Sequence, residues 1–272
     1  MKLNKKRSAF IGQFQIQIGI INRYSEKMDL LNKHNTIRKF QGRPVSDEQL
    51  NSLIRAGCRA STTGNMQLYS VIVTKDARMK KKLEPIHFNQ PVVESAPVLL
   101  TICADFNRFT KWCEFNRAKA GYNNFLSFLT AMIDAILLAQ NICIAAEDKG
   151  LGICYLGTTT YNAKEIIDLL NLPRLVFPVT AIALGWPDET PEQTDRLPLD
   201  AVLHNETYED YTKETILKLY AYKESLESSV QYIKENSKET LAQVFTDVRY
   251  KEEDNIFFSD KIIQVLKSQG FL

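Results

Sequence analysis

The longest apolar stretch of the chain runs from Tyr122 to Lys149, and its apolar positions recur at the three- and four-residue steps of a helix. The opposite face is also apolar and rich in alanine, and such a helix is normally buried. At 1.5 Å per residue it would be roughly 40 Å long, which would also cross a bilayer. Polar and acidic residues interrupt it and favour a core helix, here called the spine helix, over a membrane span: Asp134, Gln140, Asn141 and Glu147.

Helices and strands alternate on both sides of the spine helix. Ser46 is a good N-cap, which predicts a helix from about Asp47 to Arg59, and a basic helix is predicted from Ala77 to Leu83. Four segments read as strands: YSVIVT, APVLLTICAD, ICYLG and PVTAIALGWP. We expect Gly150 and Gly152 to end the spine helix, and Asn162 to cap a helix that runs through Leu170. This order predicts an α+β fold in which helices wrap one sheet.

The two ends of the chain differ from this core. Residues 1–27 form an arm in which Gln13, Gln15 and Gln17 alternate with apolar residues, as in a strand with one wet face; a signal peptide is the alternative. A short helix is predicted from Asp29. Residues 28–208 are expected to form the core, and residues 209–272 a charged helical extension.

The composition argues against some partners. The chain has 34 basic and 32 acidic residues, and a net charge of +2 gives no excess for binding nucleic acid or an anionic membrane. The cysteines lie without a CxxC pair and mostly in apolar surroundings: Cys58, Cys103, Cys113, Cys143 and Cys154. They are expected to be reduced core thiols of a cytoplasmic protein.

Three polar groups are candidates for chemistry. His34, Thr36 and Arg38 lie close together, residues 61–67 form a loop rich in hydroxyls and amides, and Arg196 stands in TDRLP. Cations with hydroxyls and free backbone N–H groups are what a phosphate requires. An ordinary helix surface and a polar turn are the alternatives. Walker, GxGxxG, HExxH and GxSxG motifs do not occur, and neither His87 nor His204 has an evident catalytic partner, so nucleophilic and metal chemistry are disfavoured.

Taken in order, six segments resemble the nitroreductase family of FMN-dependent oxidoreductases, in its NADPH-flavin oxidoreductase branch. They are HNTIRKF, STTGNMQLYS, APVLLTICADFNR, DAILLAQNICIAAEDKGLGICYLG, PVTAIALGWP and DRLP, within Lys33 to Tyr208. The resemblance implies an α+β homodimer with a central mixed or antiparallel sheet, the spine helix in the interface and FMN bound between subunits. It also implies hydride transfer from NADPH or NADH to FMN, and then to a small acceptor such as a nitroaromatic, a quinone or free flavin.

The same resemblance assigns site residues. It implies that the phosphate is bound by His34, Asn35, Thr36, Arg38 and Arg196. It implies that the ribityl chain and ring edge meet Ser61, Thr62, Thr63, Asn65 and Gln67, and that the pyrimidine side meets Asn89 or Gln90. The isoalloxazine ring is expected beside Tyr155, Leu156, Gly157 and Thr158. The flavin carries the chemistry, so no catalytic side chain is expected.

Three positions depart from the family pattern, which often has Arg at Asn35, Lys at Thr194 and a second Gly at Thr158. Each charged hydrogen bond lost should cost about 1.5–3 kcal/mol of phosphate binding. A flavin-binding protein with little turnover is therefore the alternative function. The segment from Tyr232 to Lys238 has lysines but no Arg to grip a 2′-phosphate, which predicts weak discrimination between NADPH and NADH.

Overall fold

The structure is a computed structural model that describes residues 29–272, so the predicted strand at Gln13 to Ile18 and the arm lie outside the described residues. The strands are β1 (Tyr69–Thr74), β2 (Val98–Asp105), β3 (Gly152–Leu156) and β4 (Val176–Gly185). A helical turn at residues 29–32 confirms the short helix predicted from Asp29. The α-helices after it are α1 (Asp47–Gly57), α2 (Ala77–Leu83), α3 (Pro91–Ser95), α4 (Asn107–Phe115), α5 (Phe125–Asp148), α6 (Ala163–Leu170), α7 (Lys213–Ser225), α8 (Glu227–Glu235), α9 (Leu241–Val244) and α10 (Glu252–Gln269). Helix α5 is the spine helix.

The four strands form one antiparallel sheet in the order β1-β2-β4-β3. Every residue of the two central strands, β2 and β4, is buried, as expected of strands covered on both faces. The predicted α+β architecture with an antiparallel sheet is confirmed. All four predicted strands exist, although β4 begins at Val176, before the predicted Pro178.

The spine helix packs its small and apolar face into the core. Ala131, Ala135, Leu138, Ala139, Ile142 and Ala146 on this face are fully buried. Gly57, the last residue of α1, allows a close approach, because a Cβ there would lie 2.5 Å from Ile142 Cγ1. At the other end, Phe128 makes an edge contact with Phe177 and packs against Phe271. The spine helix thus fixes α1 and the sheet relative to each other.

The opposite face of the spine helix is exposed in a single chain. Leu126 is 73% exposed, Ile133 54% and Leu137 41%, all on one stripe at helical spacing. Within the described residues this helix is also the one long and apolar enough to span a membrane by length and composition. The core contacts of its other face and its buried Asp134 are those of a helix in a globular core.

Local sequence signals explain most helix ends. Ser46 caps α1 through a capping box with Gln49, as predicted. Gly150 follows the spine helix with φ of +74°, but Gly152 has another role than the predicted stop: it begins β3, where a Cβ would lie 2.6 Å from an Ile37 side-chain atom. Asn162 stands at the N-cap of α6, but its side chain accepts no capping hydrogen bond from the helix N–H groups; its amide donates to the carbonyl of Ile86 at 2.6 Å.

Residues 29–193 and 265–272 form one compact unit, which contains the sheet and the spine helix. Residues 194–264 form a second unit built from α7, α8, α9 and most of α10. Helices α3 and α4 were missed by the sequence analysis. The prediction that the cysteines are core thiols is wrong for Cys58, which is exposed at the end of α1; the other four are buried, and all five are free.

Candidate functional site

The loop of residues 61–67 is anchored to the spine helix by one buried carboxylate. Asp134 is 1% exposed and accepts four hydrogen bonds, two to each oxygen. The donors are Thr62 Oγ1 at 2.5 Å, Thr63 N at 3.0 Å, Thr63 Oγ1 at 3.2 Å and Leu68 N at 3.3 Å. A buried charge is tolerated only when it is satisfied in this way, so the carboxylate sets the path of the loop.

The hydroxyl groups of Thr62 and Thr63, which were expected to contact a ligand, form hydrogen bonds within the protein. Both threonine hydroxyls are used internally, because Thr62 also accepts from the backbone N–H of Gln67. Left-handed backbone at Gly64, Asn65 and Gln67 turns the remaining polar side chains outward. Ser61, Asn65 and Gln67 are exposed and can reach a ligand, whereas Thr62 and Thr63 hold the loop in position.

The segment from His34 to Arg38 runs beside the edge strand β3. Thr36 forms a parallel bridge with Ile153, and the backbone N–H of Ile37 donates to the Ile153 carbonyl at 2.9 Å. The structure therefore brings the predicted phosphate motif next to β3, which ends at Leu156 and is followed by Gly157. This pairing places the predicted phosphate-binding residues beside the strand whose end is predicted to meet the ring.

Two carboxylates that were not predicted as site residues contact the same segment. Glu147 of the spine helix accepts from His34 Nδ1 at 2.5 Å. Glu189 accepts from the backbone N–H groups of Arg38 and Lys39 at 2.6 and 3.0 Å, and the first of these bonds holds the pKa of Glu189 below its ordinary value. The Arg38 side chain is exposed and makes no hydrogen bond or ion pair with the described residues. Its guanidinium remains available to an anion.

The end of β3 meets the turn that carries Asn89 and Gln90. Gln90 Nε2 donates to Thr158 Oγ1 at 3.2 Å, and His87 Nδ1 lies 2.9 Å from the same oxygen. Gly157 is exposed, and a Cβ there would meet nothing within 4 Å. The backbone at this strand end is therefore open to the surface.

Arg196 belongs to the second unit. Its guanidinium donates to Thr194 Oγ1 at 2.9 Å and to the carbonyl of Asp195 at 2.9 Å. The Asp195 carboxylate is in turn paired with Lys223 at 2.9 Å. Thr194, which replaces the lysine often found in the family, thus orients the arginine instead of adding a second charge.

Burial keeps the titratable groups near the strand end uncharged at neutral pH. It raises the pKa of the Tyr155 phenol far above its ordinary value and that of the neighbouring Cys143 thiol to about 12. Burial also lowers the pKa of His87 to about 4. None of these three groups is suited to exchange protons near neutral pH.

A model of the nitroreductase family matches residues 31–186, more than half of the chain. The chain belongs to this family. It is 34% identical over 249 residues to FMN reductase (NAD(P)H) of Bacillus subtilis, a match that covers 91% of this chain and 98% of the relative. The nitroreductase resemblance and the fold inferred from sequence are therefore confirmed.

Solved structures show the same architecture. An oxidoreductase from Bacteroides fragilis superposes with a TM-score of 0.89 at 55% identity and covers 90% of this chain and 99% of that one. NADPH:FMN oxidoreductase from Vibrio harveyi, complexed with NAD+, superposes with a TM-score of 0.73 at 27% identity and covers 90% of this chain and 98% of that one. The similarity extends well beyond the segment matched by the family model.

Four residues that shape the candidate site were not predicted from the sequence: His87, Asp134, Glu147 and Glu189. One signal was present, because Asp134 and Glu147 interrupt an otherwise apolar helix, and a charge in such a position needs a partner. The partners of Asp134 are 66 to 72 residues away in sequence, and no local pattern identifies them.

The depressed pKa of His87 predicts a pH-dependent stability. His87 binds a proton near pH 6.5 in the unfolded chain and only near pH 4 in the folded chain. The contribution of neutral His87 to the free energy of unfolding is therefore fully present above pH 6.5 and is lost as pH falls towards 4. The loss amounts to about 3 kcal/mol. Urea unfolding at several pH values should show this slope in the wild type, and His87→Asn should remove it. An unchanged slope in the variant would assign the effect to another group.

Proposed function

We propose that this protein is an FMN-dependent oxidoreductase that passes hydride from NADPH or NADH to a small acceptor by a ping-pong route. The observation that carries the proposal is the juxtaposition of the exposed Arg38 segment with the open strand end at Gly157, on a nitroreductase fold. The names of FMN reductase from Bacillus subtilis and NADPH:FMN oxidoreductase from Vibrio harveyi support it. Nitroaromatics, quinones and free flavin are the acceptor classes we propose.

The described residues fit FMN. The exposed Arg38 guanidinium forms no hydrogen bond or close ion pair within the described residues, and the surface beside Gly157 is open. FMN, when bound, supplies the hydride chemistry. We assign phosphate binding to His34, Asn35, Thr36 and Arg38, and binding of the ribityl chain and ring edge to the loop that Asp134 anchors. For Arg196, in the second unit, phosphate binding is proposed from the family resemblance alone. Asn89, Gln90 and the strand end from Tyr155 to Thr158 are assigned to the ring.

A second candidate function is a flavin-binding protein with little turnover. Glu189 favours it, because its carboxylate already occupies the backbone N–H groups of Arg38 and Lys39 and would repel a phosphate. Asn35 and Thr194 add to this by removing two cations. Stopped-flow mixing separates the candidates: an oxidoreductase loses its flavin absorbance when NADPH or NADH is added, and a binding protein keeps it with both donors.

FMN binding tests the proposal directly. We expect wild-type protein to bind FMN noncovalently, and Arg38→Ala to weaken binding about ten- to a hundredfold, because one charged hydrogen bond contributes about 1.5–3 kcal/mol. The neighbouring Lys39→Ala is the matched control and should bind like the wild type. Fluorescence titration measures both. A preparation that remains colourless after incubation with excess FMN would refute the proposal.

Weak discrimination between NADPH and NADH remains our proposal for the donor. Lys238 is paired with Asp247 at 2.8 Å, so its charge is partly neutralised, and Arg249 lies over the Tyr232 ring at 4.6 Å. This arginine was not considered in the sequence analysis. We expect the ratio of kcat/KM for NADPH to kcat/KM for NADH to be well below a thousandfold. If Arg249 recognises the 2′-phosphate of NADPH, Arg249→Ala should lower this ratio further. A ratio above a thousandfold would contradict the expectation.

We propose that the protein is a cytoplasmic homodimer without nucleic-acid or membrane partners. Its core (28–208) carries the FMN site, and its extension (209–272), except for residues 265–272 that belong to the compact unit of the same chain, reaches across the partner. The exposed apolar stripe at Leu126, Ile133 and Leu137 supports a subunit contact along the spine helix. Asp134 anchors the loop of residues 61–67, and Glu147 binds His34. The two acidic residues are separated by about 20 Å along the spine helix. A two-fold axis there would let one copy's loop face the other copy's phosphate motif.

The exposed stripe also leads us to propose an oligomeric state. An obligate interface should bury well over ~2,000 Å², so the wild type should sediment as a dimer at micromolar concentration. Ile136 is 42% exposed in a single chain, and Ile136→Glu should therefore give a folded monomer that has lost FMN. Val73→Glu, at a residue 38% exposed on β1, is the control. A wild-type monomer with FMN bound would exclude an interface site.

A further inference from the structure

A compact hydrogen-bond network surrounds the hydroxyl group of Thr158, directly after the open strand end. His87 Nδ1 lies 2.9 Å from Thr158 Oγ1, and Gln90 Nε2 lies 3.2 Å from it. Gln90 Nε2 also donates to the carbonyl of His87 at 3.1 Å, so both of its hydrogens are used. Two side chains from one turn therefore converge on a single hydroxyl oxygen.

The backbone of this turn is shaped to deliver both side chains. Phe88 and Asn89 have φ of 56° and 54°, two successive left-handed residues without glycine. Such a conformation is unfavourable unless the surroundings impose it, and it is often found at functional sites. Backbone bonds from Phe88 N to Pro85 O at 3.1 Å and from Asn89 N to Glu84 O at 2.9 Å hold it.

The protonation of His87 determines which way the Thr158 hydroxyl points. His87 is fully buried, and its Nε2 has no hydrogen-bond partner among the described residues. Its low pKa of about 4 leaves one proton on the ring at neutral pH. If this proton were on Nε2, it would be a buried N–H without an acceptor, which is rarer in proteins than an unsatisfied acceptor. We therefore assign the proton to Nδ1, from which it is donated to Thr158 Oγ1.

This assignment fills both lone pairs of the Thr158 oxygen. One accepts from His87 Nδ1–H and the other from the Gln90 amide, so the hydroxyl can only donate. Its own hydrogen has no acceptor within the network. Thr158 is partly exposed and follows Gly157, where the surface is open.

We propose that the Thr158 hydroxyl donates a hydrogen bond to N5 of bound FMN, and that His87 and Gln90 are positioning residues that keep it a donor. This inference rests on the proposed FMN site. In oxidised flavin N5 is an acceptor, whereas in two-electron-reduced flavin it carries a hydrogen. A hydroxyl that can donate but not accept therefore stabilises the oxidised form of FMN. Thr158, at the position where the family often has a second glycine, would then influence the redox potential as well as the space above the ring.

The midpoint potential of bound FMN tests the proposal without an activity assay. Thr158→Val keeps the shape of the side chain and removes the donor. It should therefore weaken the binding of oxidised FMN about tenfold relative to the binding of reduced FMN. This change corresponds to a rise of about 30 mV for a two-electron couple. Thr158→Ser retains the hydroxyl and should keep the wild-type potential.

His87 variants test the positioning role. His87→Leu frees one lone pair of the Thr158 oxygen, which can then accept from reduced N5–H, and the potential should again rise. His87→Asn places an amide N–H near the position of Nδ1 and should restore the wild-type value. If His87→Leu fails to fold, the potentials of Thr158→Val and Thr158→Ser alone decide whether the Thr158 hydroxyl donates to N5.

The outcomes separate this inference from the proposed function. A wild type that binds no FMN overturns the proposed function and this inference with it. A wild type that binds FMN, with a Thr158→Val potential that is unchanged, overturns only this inference. A potential that falls in Thr158→Val also overturns it, because the hydroxyl would then meet an oxygen or nitrogen that becomes a better acceptor on reduction.

Discussion

The buried carboxylate of Asp134 is the interaction on which the candidate site depends. It stands in the middle of the spine helix, among alanines and leucines that pack against the sheet, and would be strongly destabilising without partners. Its four hydrogen bonds all go to residues 62–68, so the helix and the loop stabilise each other. The rigid core thereby fixes a polar loop whose own backbone is left-handed at several positions.

The spine helix organises a second part of the site through Glu147, which binds His34. The adjoining residues pair with Ile153 of β3, and β3 leads to Gly157 and the network around Thr158. The loop of residues 61–67, the His34 segment and the Thr158 network are thus each tied to the same helix or to the strand that follows it. The protein is suited to hold a cofactor in a fixed position, and the charged groups around it set the cofactor's affinity more than they perform chemistry.

The secondary structure was largely predictable because its signals are local. Periodicity, the Ser46 cap and runs of β-branched residues indicated α1, the spine helix and all four strands. The strand order and the direction of each side chain were not predictable, since they depend on residues far apart in sequence. Thr62 and Thr63 were assigned to ligand binding and instead turn towards Asp134. His87 had no evident catalytic partner in the sequence, and its hydrogen-bond partner Thr158 lies 71 residues away, where no local pattern could identify it.

Amide hydrogen exchange in Asp134→Asn, combined with FMN titration, tests most directly whether this carboxylate builds the site. Asparagine keeps the shape but loses the charge and one acceptor oxygen. The account predicts faster exchange at Thr63 and Leu68, unchanged exchange in β2 and β4, and FMN binding at least about tenfold weaker. Asp148→Asn, at the exposed end of the same helix, should change none of these. Slow exchange at Thr63 and Leu68 with wild-type FMN affinity in Asp134→Asn would contradict the account.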